Sequence, residues 1–246
     1  HRRQRQMCIR DSFKRVVLKL SGEALRAVGS HDNISPEIVG RIAREIHEAR
    51  EASNVELAIV VGGGNFWRGA SASARGMDRA TADYVGMLAT VMNALALQAA
   101  LEQEGEECIV HSAIHMQNVA EPFIRRKASR QMSRGAIVIF AAGTGSPFFS
   151  TDTTAALRAN EMNADVIFKA TMVDGVYDSD PKKNPEAKRF ETVSFRQCIS
   201  EELGVMDTTA FSLCMDNDIP IIIFDLGKEG NIQIALNHGE IGTIVH

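Results

Sequence analysis

The sequence predicts an α/β fold, a three-layer sandwich whose central, mostly parallel sheet is covered by helices on both faces. Three observations carry that expectation. The candidate strands are near-continuous apolar runs rather than alternating ones, as expected where both faces of a sheet are buried. They alternate with segments of helical period along the whole 246-residue chain. No stretch rich in Gly, Ser or Pro divides the chain, so one domain over residues 13–246 is the simplest organisation.

Element by element, Arg15-Val16-Val17-Leu18-Lys19-Leu20 is β-branched and apolar, and stops at Ser21-Gly22, so it reads as a buried strand. Ser35-Pro36-Glu37 announces a helix, with Ser as N-cap, Pro at the first helical position and an acid in the first turn. Ile38, Ile42, Ile46 and Ala49 then share one face. Val55 to Val61 is a second strand, ended by Gly62-Gly63-Gly64. From Arg79 to Glu104 a long helix carries Met87, Leu88, Val91, Met92, Leu95, Leu97 and Leu101, apolar on more than one face. Burial on both sides is therefore expected, against the core and against a second subunit. Further strands are expected at 107–111, 136–141, 166–170 and 220–226, with a helix over 153–163. The stretch from Asp174 to Arg189, with Pro181, Pro185 and a run of charge, is the least regular.

Composition narrows the function. Apolar residues make up 45% and charged residues 24%, the balance of an ordinary globular protein. The uninterrupted apolar runs are too short to cross a bilayer, so no membrane span is expected. Cys8, Cys108, Cys198 and Cys214 are widely spaced, which suits reduced thiols in a cytoplasmic protein. His111 and His115 are four apart, but on a strand end and loop that spacing does not aim two imidazoles at one metal. Met7 to Ser12 is what a DNA-library adapter would encode in frame. Residues 1–12 are thus expected to be a non-native extension, with the native chain starting near Phe13. Without that basic segment the net charge is −7, leaving no basic stripe for nucleic acid. Anions must be bound at local sites.

Three strand ends offer such sites. The first strand places Lys19 before a small turn, Leu20-Ser21-Gly22. The second ends in Gly62-Gly63-Gly64 with Arg68 close behind. Ala142-Gly143-Thr144-Gly145-Ser146 follows another, then Pro147-Phe148-Phe149-Ser150-Thr151-Asp152 and a helix. Ligands of open α/β sheets bind at the carboxyl ends of strands, where Gly turns and helix N-termini present N–H groups. Glycine lets the backbone approach phosphate oxygens and adopt the positive φ of an N–H nest. G-x-x-x-x-G-K-[ST] is absent, which excludes the P-loop, and so is G-x-G-x-x-G, which argues against a dinucleotide-binding dehydrogenase.

These motifs resemble, in order, those of the UMP kinase branch of the amino acid kinase superfamily. The resemblance runs from Phe13 to His246. It includes Lys19 to Leu25, Gly62 to Asn65 with Arg68, and Asp83 ahead of Gly86-Met87-Leu88-Ala89-Thr90-Val91-Met92-Asn93. It continues through Gly143 to Phe149, Thr151-Asp152, Lys169-Ala170-Thr171, Val173 to Tyr177 with Asp180-Pro181, and Met206-Asp207. The Gly-Met-Leu-Ala-Thr helix and the Gly-Thr-Gly-x-Pro-Phe-Phe loop point to the bacterial form.

The resemblance implies phosphoryl transfer from ATP, bound with Mg²⁺, to UMP. Lys19 and the Leu20-Ser21-Gly22 turn would hold the transferred group, and Asp152 would orient Lys19 or a Mg²⁺-linked network. Gly63 and Gly64 would offer N–H groups between the phosphates of the two substrates. Arg68 would bind phosphate and Asp83 the ribose of UMP. Thr144, Gly145, Ser146, Pro147, Phe148, Phe149, Ser150 and Thr151 would wrap uracil and the UMP phosphate, while Thr171, Tyr177 and Asp180 would line the ATP nucleoside pocket. The family also implies a homohexamer and UTP feedback at the active site. At 26–33 the chain departs from many GTP-activated members, which carry a shorter, more glycine-rich loop.

Each residue has a plainer alternative. Asp152 alone is an ordinary N-cap, Asp83 a solvated helix residue, Tyr177 a packing aromatic, and Lys169 a structural strand-end lysine. Two other functions remain open at this stage. One is a superfamily kinase acting on a carboxylate or carbamate. The other is a non-catalytic nucleotide-binding protein on the same fold.

Overall fold

The computed structural model describes residues 13–27, 29–181, 183–239 and 241–246, without the side chain of His238. The expected extension at 1–12 lies outside the described residues. Strands β1 (Arg15–Leu20), β2 (Glu56–Val61), β3 (Cys108–Ser112), β4 (Glu121–Pro122), β5 (Ile137–Ala141), β6 (Val166–Thr171), β7 (Thr192–Val193), β8 (Ile221–Asp225) and β9 (Thr243–Val245) form one sheet. Its order is β4-β3-β5-β2-β1-β6-β8-β9-β7. Every pairing is parallel except β8 with β9. The expected sandwich is therefore observed, with an antiparallel contact only toward one edge.

Helices α1 (Pro36–Ala52), α3 (Arg79–Gln103) and α8 (Asn231–His238) cover one face. α4 (Arg125–Ser133), α5 (Thr151–Met162), α6 (Phe195–Ser200) and α7 (Thr208–Asp216) cover the other, and α2 (Gly69–Ser73) packs on α3. β1 divides between them by its two-residue period: Val16, Leu18 and Leu20 join the first core, Val17 the second. Lys19 therefore points to the α5 side. In α1, Ser35 accepts from the Ile38 N–H as its N-cap, and Ile42 and Ile46 are fully buried, each contributing about 1.5–3 kcal/mol.

The long helix shows one of its two expected buried faces. One stripe of α3, including Met87, Val91, Ala94, Leu97 and Leu101, is buried, while Tyr84, Val85, Leu88 and Met92 are exposed. Among the described residues nothing covers that second apolar face. At 25 residues and a mean hydropathy of 1.5 over its most apolar window, α3 is also long and apolar enough to cross a membrane. Counting uninterrupted runs missed this because Thr and Asn break the runs without making the helix polar. In the fold 44% of that window is buried, with Thr90 and Asn93 inside.

The short elements α2, α4, α6, α7, α8 and β9 had no distinct sequence signal. The irregular stretch 174–189 contains only an isolated bridge between Tyr177 and Arg189 among its described residues.

Candidate active site

β1 and β6 are parallel neighbours in a register that sets Lys19 beside Lys169. Both project toward α5 and are buried, at 7% and 6% exposure. Two adjacent buried cations repel, and a single carboxylate holds them. Asp152, in the first turn of α5, places Oδ1 2.7 Å from Lys19 Nζ and Oδ2 2.6 Å from Lys169 Nζ. Ser150 is the N-cap of that helix, accepting from the N–H groups of Asp152 and Thr153 at 3.0 Å. Asp152 is thus relieved of capping, and its carboxylate serves the lysines.

Burial opposes ionisation of Asp152, but Lys19 and then Lys169 outweigh it and hold its pKa below the usual carboxylate value. Its contribution to stability is present above that usual value and lost as pH falls through the lowered one. For Lys169 burial is the larger influence, and its pKa lies below the ordinary lysine value despite Asp152. Lys169 also donates to the Val205 carbonyl. The two lysines and their shared carboxylate lie at the ends of β1 and β6, next to the positive end of the α5 dipole.

Asp207, quoted in the sequence motif without a role, supports this centre from behind. It N-caps α7 through the Ala210 N–H at 2.9 Å, and accepts from the hydroxyls of Thr153, at 2.9 Å, and Ser150. Nothing in its sequence spacing to Ser150 foretold this contact across 57 residues.

The turn after β2 lies directly against the turn after β1. A Cβ on Gly22 would stand 2.5 Å from the Gly62 carbonyl oxygen, and one on Gly63 2.7 Å from that of Gly86. Neither glycine, nor Gly62 or Gly64, has the positive φ expected of a nest. Glycine is required here for close approach, not for a left-handed backbone. The N–H groups of Gly22, Gly63 and Gly64 have no hydrogen-bond partner among the described residues, although Gly22 and Gly63 are buried. Such donors are costly to bury unless something supplies acceptor oxygens.

Arg68 lies beside this turn and is ion-paired with Glu23 of the short 3-10 turn Gly22–Leu25. Asp83, near the start of α3, accepts from Arg79 Nε at 2.9 and 3.0 Å and from the Phe148 N–H at 2.8 Å. It thereby ties α3 to the loop after β5. That loop is the one with positive φ: Ala142 at 61°, Gly143 at 59°, Gly145 at 86° and Phe148 at 73°. Thr144 braces it, its hydroxyl donating to the Ser146 carbonyl and accepting from the Ser146 N–H. Phe148 and Phe149, between Pro147 and Ser150, present exposed rings.

Beyond Thr171, at the ends of β6 and β8, is a cavity of about 370 Å³ walled by Met172, Val173, Asp174, Pro181, Asp225 and Lys228, among others. Thr171, Tyr177 and Asp180 adjoin these walls rather than forming them. Tyr177 donates its hydroxyl to Asp174 at 2.7 Å. His111 is buried with Nε2 2.7 Å from Gln131 Oε1, while His115 is exposed, so they form no pair.

The sheet order converts these pieces into one site. β5, β2, β1, β6 and β8 are consecutive neighbours. Their C-terminal ends therefore present, in a row, the aromatic loop, the glycine turn, the lysine with its small turn, the second lysine, and the cavity. Charge and free N–H groups are in the middle, with space for a flat or bulky group at either end.

The chain matches the amino acid kinase family over residues 14–225. It is similar in structure to the UMP kinase of Bacillus anthracis, with a TM-score of 0.90 and 37% identity over 96% of each chain. It is similar also to the UMP kinase of Ureaplasma parvum, with a TM-score of 0.87 and 36% identity over 94% of this chain and 98% of the other. The uridylate kinase of Archaeoglobus fulgidus gives 0.71 and 30% over 94% and 99%.

Proposed function

The chain belongs to the amino acid kinase family, and from that premise we propose that it is a UMP kinase, making UDP and ADP from UMP and ATP. The observation that carries the reading is the order of groups along the sheet edge, with a phosphate-suited centre between two nucleoside-sized ends. The cavity after β6 and β8 takes the ATP nucleoside, and the Thr144–Thr151 loop with Asp83 takes UMP. Between them Lys19, with Gly22, Gly63 and Gly64, surrounds the transferred group.

An oxygen of the UMP phosphate attacks the γ-phosphorus, and the bond from that phosphorus to the bridging oxygen of ADP breaks. The nucleophile is already anionic, so no general base is required. Catalysis rests on positioning and on charge stabilisation. Lys19 is aimed by Asp152, which Lys169 and the Ser150 cap hold in place. Arg68 reaches phosphate by exchanging its Glu23 partner. Among the described residues no cluster of three acidic, His or Cys side chains could hold a metal, and Asp152 is committed to lysines. That donor set fits a Mg²⁺ carried chiefly by phosphate oxygens and water, as is usual for this ion. When bound, it neutralises phosphate charge.

The exposed apolar stripe of α3 supports a subunit contact in a homo-oligomer, a hexamer by family resemblance. UTP, sharing the uridine of UMP, is a feedback inhibitor at the same loop. Free, buried cysteines at 108, 198 and 214 support a reducing, cytoplasmic setting.

The test is ADP release from ATP–Mg²⁺ with UMP, CMP, AMP and N-acetylglutamate as acceptors. Turnover with UMP well above the rest is the expected result. Turnover with the acid alone would void the assignment of the aromatic loop to uracil, and ATP binding without turnover would favour a sensor.

A further inference from the structure

Three consecutive glycines make a poor scaffold. Without Cβ atoms, the peptide planes of Gly62, Gly63 and Gly64 have wide torsional freedom, yet phosphate-binding N–H groups must be aimed. We infer that Asn93, buried in the middle of α3, is the positioning residue that aims the Gly63 N–H, by fixing the Gly62–Gly63 peptide plane. This deepens the kinase reading and rests on it for the role of that N–H.

Asn93 Nδ2 donates to the Gly62 carbonyl at 2.7 Å. Among the described residues it is the one side chain hydrogen-bonded to the three glycines; their other bonds are backbone bonds from Gly62 N–H to Leu20 and from Phe66 and Trp67 to Gly63. A trans peptide is planar, with its C=O and N–H pointing in opposite directions. Holding the Gly62 carbonyl toward Asn93 therefore turns the Gly63 N–H away from α3, where it has no partner among the described residues.

The amide that does this is itself locked. Asn93 and Asn65 exchange reciprocal hydrogen bonds, Asn65 Nδ2 to Asn93 Oδ1 at 2.9 Å and Asn93 Nδ2 to Asn65 Oδ1 at 2.7 Å. Asn65 Nδ2 also donates to the Asn33 carbonyl at 2.7 Å. Each NH₂ thus faces one backbone carbonyl and one amide oxygen. Turning either amide over would set oxygen against carbonyl oxygen, so one arrangement is selected. Asn93 is fully buried and Asn65 nearly so, and a closed polar network of this kind is rigid because any lost bond leaves a buried group unpaired. One turn before, Thr90 accepts from the Ala142 N–H at 2.8 Å, so the same stripe of α3 also anchors the turn after β5.

The two asparagines differ in one respect that makes the inference testable. Asn93 touches Gly62, and Asn65 does not. Asn93→Ala is expected to lower kcat by about 10²-fold, the scale of a displaced catalytic group, with KM for ATP and UMP changed by less than about threefold. Asn65→Ala removes as many amide bonds and loosens the Asn93 amide but leaves the Gly62 contact, so kcat is expected to fall less, by about three- to tenfold. Leu97→Ala, in the core of the same helix, controls for destabilisation alone and is expected to retain kcat below its melting temperature. If Asn93→Ala does not accumulate as folded protein, Asn93→Asp keeps the shape and removes the donor. Equal losses of kcat in the Asn65 and Asn93 variants would overturn the inference. A second readout is independent of the reaction. The Gly63 amide resonance of the ligand-free full chain is expected to shift markedly in the Asn93 variant and less in the Asn65 variant. Equal shifts would overturn the inference even if UMP proves not to be the acceptor, and absence of UMP turnover in wild type would overturn the kinase reading alone.

Discussion

The site is held differently at its centre and at the end of β5. At the centre, Lys19, Lys169, Asn65 and Asn93 are themselves buried, and Asp152 is nearly so. Each is bonded to groups from other elements. At the end of β5, Phe148 and Phe149 stand in the open, in a loop with four left-handed residues, fastened to α3 by the Asp83 carboxylate. The centre has the preorganisation expected where charge must be stabilised without rearrangement. The aromatic loop has the strain and exposure of a segment that adapts to what it binds. Substitutions in the centre should therefore act on turnover or folding, and those in the loop on acceptor binding.

The largest expected effect is that of Lys19→Ala. Removing a preorganised charge should lower kcat by roughly 10²–10³-fold, with the fold retained because Lys169 still pairs with Asp152. Steady-state ADP release with both substrates saturating checks this, and a near-normal rate would remove Lys19 from the chemistry. Next comes a pair of glycines in one turn. A Cβ on Gly63 would collide with the Gly86 carbonyl oxygen at 2.7 Å and Ala89 Cβ at 2.9 Å, both on α3. Gly63→Ala should cost about 1–3 kcal/mol of stability, as overpacking does. At Gly64 the nearest atom would be the flexible Glu23 Cγ at 3.4 Å, and Gly64→Ala should stay within about 0.5 kcal/mol, as uneventful substitutions do. Urea melts of the two variants would show whether the centre is as tightly fixed as its contacts imply.

The same contrast governs what could be read from the sequence. The core strands were legible because their apolar runs are near-continuous, and those of β1, β2 and β5 stop at glycine-containing turns. Ser35-Pro36 and its helix were legible because capping is local. Lys19 was legible beside its turn. Its partnership with Lys169 was not, since it depends on the register of two strands about 150 residues apart, which no local pattern specifies. The same applies to Asp207 and to the Asn65–Asn93 pair. Asp152 taken alone is a plain N-cap, and only the family resemblance implied that it orients Lys19; Ser150 takes the cap and leaves the Asp152 carboxylate on Lys19. The expectation of positive φ in the glycine turn was wrong because a sequence cannot distinguish glycine needed for torsion from glycine needed for clearance. The apolar second face of α3 was legible as a face that wants cover, but hydrophobicity does not report what covers it, and within one chain Tyr84, Val85, Leu88 and Met92 are exposed.

In the aromatic loop the expected effects are smaller and fall on UMP. Asp83→Asn keeps an acceptor for the Phe148 N–H but loses the ion pair with Arg79, so the loop should be held less firmly. An increase of about tenfold in KM for UMP, equivalent to about 1.4 kcal/mol, is expected, with KM for ATP unchanged. A matching rise in KM for ATP would mean that the loop is not dedicated to one substrate.

Phe148→Gly gives the sharpest comparison because its two effects should have opposite signs. At φ 73° a phenylalanine is strained, and glycine would relieve about 1 kcal/mol of that cost. The ring's loose contact under the Arg79 guanidinium, 5.6 Å from its centroid, offsets roughly 0.5–1 kcal/mol of the gain at an exposed position. Stability should thus be unchanged or slightly higher, although a large, buried-type residue has been deleted. UMP affinity should fall all the same if, as proposed, the ring supplies a flat face for the acceptor base. Calorimetric melting and UMP titration of one variant decide the matter together. A loss of stability would mean that the ring is packing rather than poised. Unchanged UMP affinity would mean that the strain at Phe148 serves the loop's own geometry, and that the acceptor base is gripped elsewhere.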